Sequence, residues 1–165
     1  MTGETRDLED EVFAAFGRAM STAQCLEVDL LSLSVLVGVH ARGGVTPEEL
    51  SDLDSRLSKR TLGGLMHALQ KDGYLERTMH AAWFRALDIR NGLAHRFFID
   101  NTERLTTSAG QREVTAELRE QDAALEVVLQ EVRAVQKQVI RALGVNLQDF
   151  QRLFETEYRK IMRDP

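Results

Sequence analysis

Residues suited to phosphate chemistry lie close together at Arg90, Asn91 and His95. In a helix, Asn91 and His95 are four residues apart and share one face, so they can hydrogen-bond. Arg90 lies about 140° around the axis from His95. Histidine can move a proton near neutral pH, arginine can bind a phosphate and stabilise its developing charge, and asparagine can orient either group. These groups suit metal-free cleavage of RNA, in which the ribose 2′-hydroxyl attacks the adjacent phosphate.

The helix predicted to carry these residues departs from two local rules. One stripe at helical spacing contains Met79, Trp83, Ala86, Arg90, Leu93 and Phe97, and a neighbouring stripe contains His80, Phe84, Leu87, Asn91, Ala94, His95 and Phe98. A charge in an apolar row is costly unless it meets a partner. Gly92 costs roughly 1 kcal/mol relative to alanine, but leaves room for a substrate or a second backbone. Such departures often mark a functional site.

The elements that must position these residues are predicted to be helices, because the chain has two prolines and almost no alternating segments. Helices are expected at about 4–39, 47–57, 61–71, 76–98 and 115–143, with a last one from a cap at Asn146 to near the end. Thr46-Pro47-Glu48-Glu49 is a strong helix start with a capping box. The fold class is therefore an all-α antiparallel bundle of four or five main helices and a short extra helix in one domain, 1–165.

Two connecting stretches are more ambiguous. Residues 99–114, with Ser108-Ala109-Gly110 as a turn signal, are expected to form an irregular loop or small hairpin that could lie over Arg90 and His95. Gly63 and Gly64 lie in the first turn of their helix, where backbone amides could hold a phosphate. Close helix packing is the alternative explanation and is favoured here.

Composition limits the class of protein. The chain has 165 residues, of which 43% are hydrophobic and 28% charged, as in soluble globular domains. No apolar run approaches the roughly 18 residues that a membrane span needs, and the polar N-terminus lacks a signal-peptide pattern. The net charge of −5 means that nucleic-acid binding would depend on a local basic patch. A cytoplasmic protein that does not engage a membrane is expected.

Cysteine and histidine usage argues against other sites. Cys25 is the one cysteine, which excludes an intramolecular disulfide, fits a reducing compartment and is expected to be a small buried hydrophobe. The four histidines, at 40, 67, 80 and 95, lack metal-ligand spacing, and no nucleotide-binding or metalloprotease motif is present. Neither a metal nor a cofactor is therefore predicted.

The stretch Arg90-Asn91-Gly92-Leu93-Ala94-His95 resembles the R-x(4–6)-H motif of the HEPN superfamily of helical-bundle domains. Many members are metal-independent RNases of toxin–antitoxin, phage-defence and CRISPR-associated systems, and two protomers together form the cleft. The resemblance implies catalytic roles for Arg90, His95 and Asn91, with Glu27 on the first helix as possible support. One subgroup has a tyrosine two residues after the histidine, and this chain has Phe97 there. Modification of that tyrosine by a nucleotidyltransferase antitoxin cannot operate in the same way here.

The implied activity is endoribonuclease cleavage of single-stranded RNA by a homodimer that pairs through the 76–98 helix, with an antitoxin or defence-system protein as a possible further partner. Unpaired RNA is expected because an A-form duplex holds its backbone rigidly and hides its base edges. The nearest candidate phosphate contacts are Arg96, Arg85, Lys59 and Arg60.

Two alternatives remain open. The chain could be a non-catalytic HEPN-like nucleotide-binding or protein-interaction module, since some family members have lost activity. The cluster could also be purely structural, with Arg90 paired to Glu27 or Asp88 while Asn91 and His95 bond to backbone groups. Short motifs also match by chance, and Arg60 with His67 satisfies this one loosely.

Overall fold

Helical spacing and well-placed caps determine most elements of this chain. A computed structural model describes residues 3–75 and 80–144, and every regular element in these ranges is helical. The α-helices are α1 (Gly3–Ala41), α2 (Pro47–Leu57), α3 (Leu62–Lys71), α4 (His80–His95), α5 (Phe97–Asp100) and α6 (Ser108–Ala142), with a 3₁₀ helix at Arg104–Thr106. The predicted all-α bundle is confirmed. The predicted helix from Asn146 and the 76–79 start of the site helix, with Met79, lie outside the described residues.

The predicted start of α2 is confirmed in detail. Thr46 Oγ1 accepts the Glu49 N–H at 3.3 Å, and a Glu49 carboxylate oxygen accepts the Thr46 N–H at 2.8 Å. This reciprocal pair satisfies two backbone donors that a helix start otherwise leaves without a partner. At the end of α3, Gly73 adopts φ +78°, the left-handed conformation that favours glycine and stops a helix.

The core is formed mainly by the two long helices and α4. On α1 the fully buried residues recur at helical spacing and include Ala19, Ala23, Leu26, Leu30 and Leu33. On α6 the buried stripe includes Val114, Leu118, Leu125, Val128 and Val132. Trp83 from α4 is 1% exposed and is the largest side chain in this core. Burial of these rows is the main force that holds the helices together.

The long helices α1 and α6 run parallel to each other. Arg119 of α6 pairs with Glu11 near the start of α1 at 3.8 Å, and Arg133 lies further along opposite Asp29 at 2.7 Å. The residue numbers of the paired side chains therefore increase in the same direction along both helices. The Asp29 carboxylate also raises the pKa of Arg133, chiefly by accepting a hydrogen bond from it.

The helix α4 runs antiparallel to α1. Arg90 meets Glu27, whereas Phe97, at the start of α5, meets Phe16 with ring centroids 4.7 Å apart. Successive long helices of the chain thus alternate in direction, as predicted for an antiparallel bundle. Because there are three such passes, the first and third are parallel.

The expectation for residues 99–114 is wrong. They form the end of α5, a 3₁₀ helix and the first turns of α6, with no strand. Thr107 Oγ1 accepts the Gly110 N–H at 3.1 Å and so begins α6 at Ser108, seven residues earlier than the predicted start at Thr115. Arg104 binds Glu117 at 2.7 Å. This ion pair holds the 3₁₀ helix against α6, whereas the segment was expected to cover the Arg90 region.

The expectation for Cys25 is also wrong, because its side chain is exposed. The buried row of α1 passes through Ala23 and Leu26. Cys25 precedes Leu26 by one residue, a rotation of about 100°, which takes it off that row. Its neighbours in sequence were a poor guide to its environment.

By length and composition alone, α1 between Arg6 and Ala41 could cross a membrane, although no such segment was predicted from the sequence. The core helix of a soluble protein meets the same criterion. In this structure α1 supplies a buried row of the bundle core.

Candidate active site

Packing of α4 explains why Arg90 is held at the edge of the core. The first predicted stripe is confirmed, since Trp83, Ala86, Leu93 and Phe97 are all buried. Arg90 lies in the same row, with 28% of its side chain exposed. A partly buried guanidinium needs a partner, and the neighbouring helix supplies one.

That partner is Glu27 of α1, 63 residues away in sequence. The Arg90 Nε donates a hydrogen bond to the Glu27 carboxylate and forms an ion pair with it, and 34% of the glutamate side chain is exposed. Arg90 Nη1 donates to Asn91 Oδ1 at 3.0 Å. The guanidinium is therefore fixed from two sides. The antiparallel crossing of α1 and α4 creates this arrangement, and Asp88, the other predicted partner, is exposed.

Most of the second stripe of α4 lies outside the core, although Leu87 is partly buried and packs against it. Asn91, Ala94 and His95 are exposed, and Phe84 and Phe98 are 47% and 46% exposed. The helix packs against α1, α3 and α6, and the exposed members of this row are not part of the core. Asn91 and His95 therefore face solvent on an apolar surface.

His95 lies in the last turn of α4. The possible Asn91–His95 hydrogen bond is absent within the described ranges, because the Asn91 oxygen accepts from Arg90 instead. The His95 ring is exposed and free to meet a ligand. Of the other histidines, His40 and His67 are exposed, while the His80 side chain lies outside the described residues.

A cavity of about 590 Å³ brings the predicted residues together. Glu27, Arg90, Asn91 and His95 all contribute to its lining. The opposite wall comes from the end of α2, the connection after it and the start of α3. A volume of this size lies within the range of small-ligand sites, roughly 300–1,000 Å³.

The four predicted phosphate contacts differ in whether they line the cavity. Arg60 lines the cavity, whereas Lys59, Arg85 and Arg96 are exposed and do not. Arg96 instead pairs with Asp100 at 3.3 Å on the open surface.

The glycines of α3 favour the packing explanation. A Cβ on Gly63 would lie 3.2 Å from Leu87 Cδ2, which is tight, so glycine permits the close approach of α3 and α4. The Gly64 N–H is already accepted by Thr61 Oγ1 at 3.2 Å. Packing therefore accounts for Gly63, and the Gly64 amide is already bonded within its own turn.

Sequence reasoning named Arg60 as a phosphate contact but did not anticipate that Leu57, Ser58 and Thr61 line the cavity beside it. These three residues belong to no motif, and the space that they face depends on how α2 and α3 pack. In the described ranges, no group of three His, Cys, Asp or Glu side chains is arranged to hold a metal ion.

Comparison with protein-family models, with curated proteins and with solved structures gave no match to this chain.

Proposed function

We propose that this protein is a metal-independent endoribonuclease of HEPN type that cleaves single-stranded RNA in the cytoplasm, in a toxin or phage-defence system. The observation that carries the proposal is the meeting of Arg90, Asn91, His95 and Glu27 on one cavity. Three of these residues follow one another closely in sequence, but Glu27 comes from a separate helix. The cavity lining therefore adds a carboxylate, that of Glu27, to the three side chains of the motif.

The geometry supports a separate role for each residue. Glu27 and Asn91 occupy Nε and Nη1 of Arg90 and orient the guanidinium, and Nη2 has no partner within the described residues. That nitrogen can donate to a phosphate oxygen and stabilise the charge that develops on it.

His95 supplies proton transfer in this scheme. The ribose 2′-oxygen loses its proton and forms a bond to phosphorus, while the bond from phosphorus to the 5′-oxygen breaks and that oxygen gains a proton. The products are a 2′,3′-cyclic phosphate and a 5′-hydroxyl. An imidazole near neutral pH can act as the base for the first proton or as the acid for the second.

A second copy of the chain would complete the site. Beside His95, the exposed side chains Phe98, Phe13 and Ile99 form an apolar surface, with exposures of 46%, 58% and 76%. The Phe13 and Phe98 rings are 6.1 Å apart, so these two side chains are neighbours on the surface. Exposed apolar patches of this kind often bind proteins. Pairing across α4 would bring two Arg90/His95 sets together, and an antitoxin or defence-system protein could use the same surface.

The deciding assay measures cleavage of single-stranded RNA by purified protein in the presence of EDTA. Arg90→Ala and His95→Ala should each reduce the rate by about 10²-fold or more, since each removes charge stabilisation or proton transfer. Arg85→Ala is the matched control, because Arg85 is exposed on the same helix but does not line the cavity. Unchanged cleavage in both site variants would exclude the proposed mechanism.

A second candidate function, a non-catalytic HEPN-like nucleotide-binding or protein-interaction module, is favoured by the ion pair itself. Glu27 already neutralises Arg90, as a purely structural contact would. This alternative predicts ligand binding without turnover that survives His95→Ala. Glu27→Gln separates the two. It should reduce cleavage if Glu27 orients Arg90 for catalysis, whereas a module without turnover should change in stability only.

A further inference from the structure

The cavity beside α4 has a cation on the wall that the motif does not include. Arg60 lies on the α2–α3 connection and lines the same cavity as Arg90 and His95. It is separated from Arg90 by 30 residues of sequence, so no motif relates the two.

Charge distinguishes the two arginines. Arg90 is paired with Glu27, whereas the side chain of Arg60 has no ion pair or hydrogen bond with any residue of the described ranges. The lining thus contains two arginines and one glutamate, a local positive balance in a chain of net charge −5. Clefts lined by one sign of charge concentrate ligands of the opposite sign. An anionic group is therefore the expected ligand of Arg60.

Two other donors near this wall are already occupied. The N–H of Gly64, in the first turn of α3, bonds to Thr61 Oγ1, and Ser58 Oγ donates to the Ser55 carbonyl. The guanidinium of Arg60, with five N–H donors, is suited to bidentate binding of a phosphate.

Between the two arginines the cavity is apolar. Its aliphatic lining residues are Val28, Leu31, Leu57, Leu62, Leu65 and Leu87. An apolar surface bounded by cations fits a ligand that combines an apolar body with phosphate groups. At about 590 Å³ the space suits one nucleotide and not a duplex.

We infer that the cavity is a nucleotide subsite, in which Arg60 binds a phosphate and the aliphatic surface holds the base. In the RNA substrate this would be the nucleotide next to the phosphate that Arg90 binds. This inference rests on the proposed function for the identity of the ligand as RNA, but not for the binding of a nucleotide.

The test is calorimetric titration of the full chain with adenosine 3′-monophosphate, adenosine and inorganic phosphate. The wild-type protein should bind the nucleotide more tightly than either part. Arg60→Ala should weaken nucleotide binding by roughly tenfold or more, the effect expected for a lost charge-assisted hydrogen bond, and should leave adenosine binding unchanged. Lys59→Ala is the matched control, because the adjacent Lys59 is also exposed but lies outside the lining. Both substitutions are at exposed positions, and circular dichroism verifies the fold of each variant.

Failure of nucleotide binding by the wild-type protein, or equal weakening in the Arg60 and Lys59 variants, would overturn the inference. Inorganic phosphate that binds as tightly as the nucleotide would also overturn the inference, since the aliphatic surface would then contribute nothing to binding.

RNA cleavage assays distinguish failure of the subsite from failure of the proposed ribonuclease function. Active wild-type protein whose KM for RNA is unchanged by Arg60→Ala refutes the subsite alone. If the wild-type protein cleaves no RNA but binds the nucleotide, and Arg60→Ala selectively loses that binding, the ribonuclease proposal is refuted and the subsite is retained.

Discussion

Alanine at Gly110 should destabilise the protein, although alanine normally favours a helix. Gly110 is the third residue of α6, where an added Cβ would lie 2.1 Å from the carbonyl oxygen of Arg104. Close C···O contacts in proteins are about 3.3–3.6 Å, so the 3₁₀ helix would have to move by roughly 1 Å. That backbone is held in place, since Gln111 Nε2 donates to the Leu105 oxygen at 2.9 Å and Arg104 binds Glu117.

The expected magnitude combines two opposing effects. The alanine contributes up to about 1 kcal/mol through helix propensity. Overpacking costs about 1–3 kcal/mol or more, and each hydrogen bond weakened by the shift costs a further 0.5–1.5 kcal/mol or so. The free energy of unfolding of Gly110→Ala should therefore fall by about 1–3 kcal/mol. For a domain of this size, Tm should fall by about 2–4 °C for each kcal/mol.

Thermal and urea unfolding followed by circular dichroism measure this change. Gly17→Ala is the matched control, because Gly17 is also helical but an added Cβ there would meet nothing within 4 Å. This control should gain about 0.5–1 kcal/mol. A gain in stability by both variants would refute the contact between α6 and the 3₁₀ helix.

Three further predictions concern separate parts of the molecule. Gly92→Ala should stabilise the chain by about 0.5–1 kcal/mol, since its Cβ would meet nothing within 4 Å. It should also reduce RNA cleavage if a second backbone approaches α4, and unaltered cleavage would exclude that approach. The hydrogen bond from Arg104 lowers the pKa of Glu117 below its ordinary 4.5, so this pair stabilises the fold above that pH and loses its effect as pH falls through the lowered pKa. Unfolding free energies measured across acidic pH should accordingly decline less steeply in Glu117→Gln than in wild type, and identical slopes would contradict the pairing. Thr46→Ala should cost about 1 kcal/mol in urea unfolding through loss of the α2 cap, with Thr46→Ser nearly neutral; equal losses would mean that the hydroxyl is not the cap.

Helix positions were largely predictable because their signals are local. The predicted helix over about 4–39 and the capping box at Thr46 depend only on neighbouring residues, and both are present as expected. The start of α6 was missed because Gly110 was interpreted as a turn residue. Its small size instead allows α6 to approach the backbone of Arg104, which is not a local property.

The candidate site was predictable only in part. Arg90 could be singled out because a charge stood in an apolar row, and its partly buried ion pair is the expected consequence. The exposure of His95 was not predictable, since two adjacent apolar rows on one helix cannot both be assigned to the core without knowing its neighbours. The same uncertainty made Cys25 seem buried.

The sequence by itself determined the helical class, most helix boundaries and the arginine that needed a partner. Helical periodicity and capping depend on residues within a few positions of one another, so they survive in the linear chain. Only the tertiary structure decided that Glu27 meets Arg90, that Arg60 faces the same cavity and that α1 and α6 run parallel. These relations depend on how distant helices cross, and that is set by the packing of all the apolar rows at once.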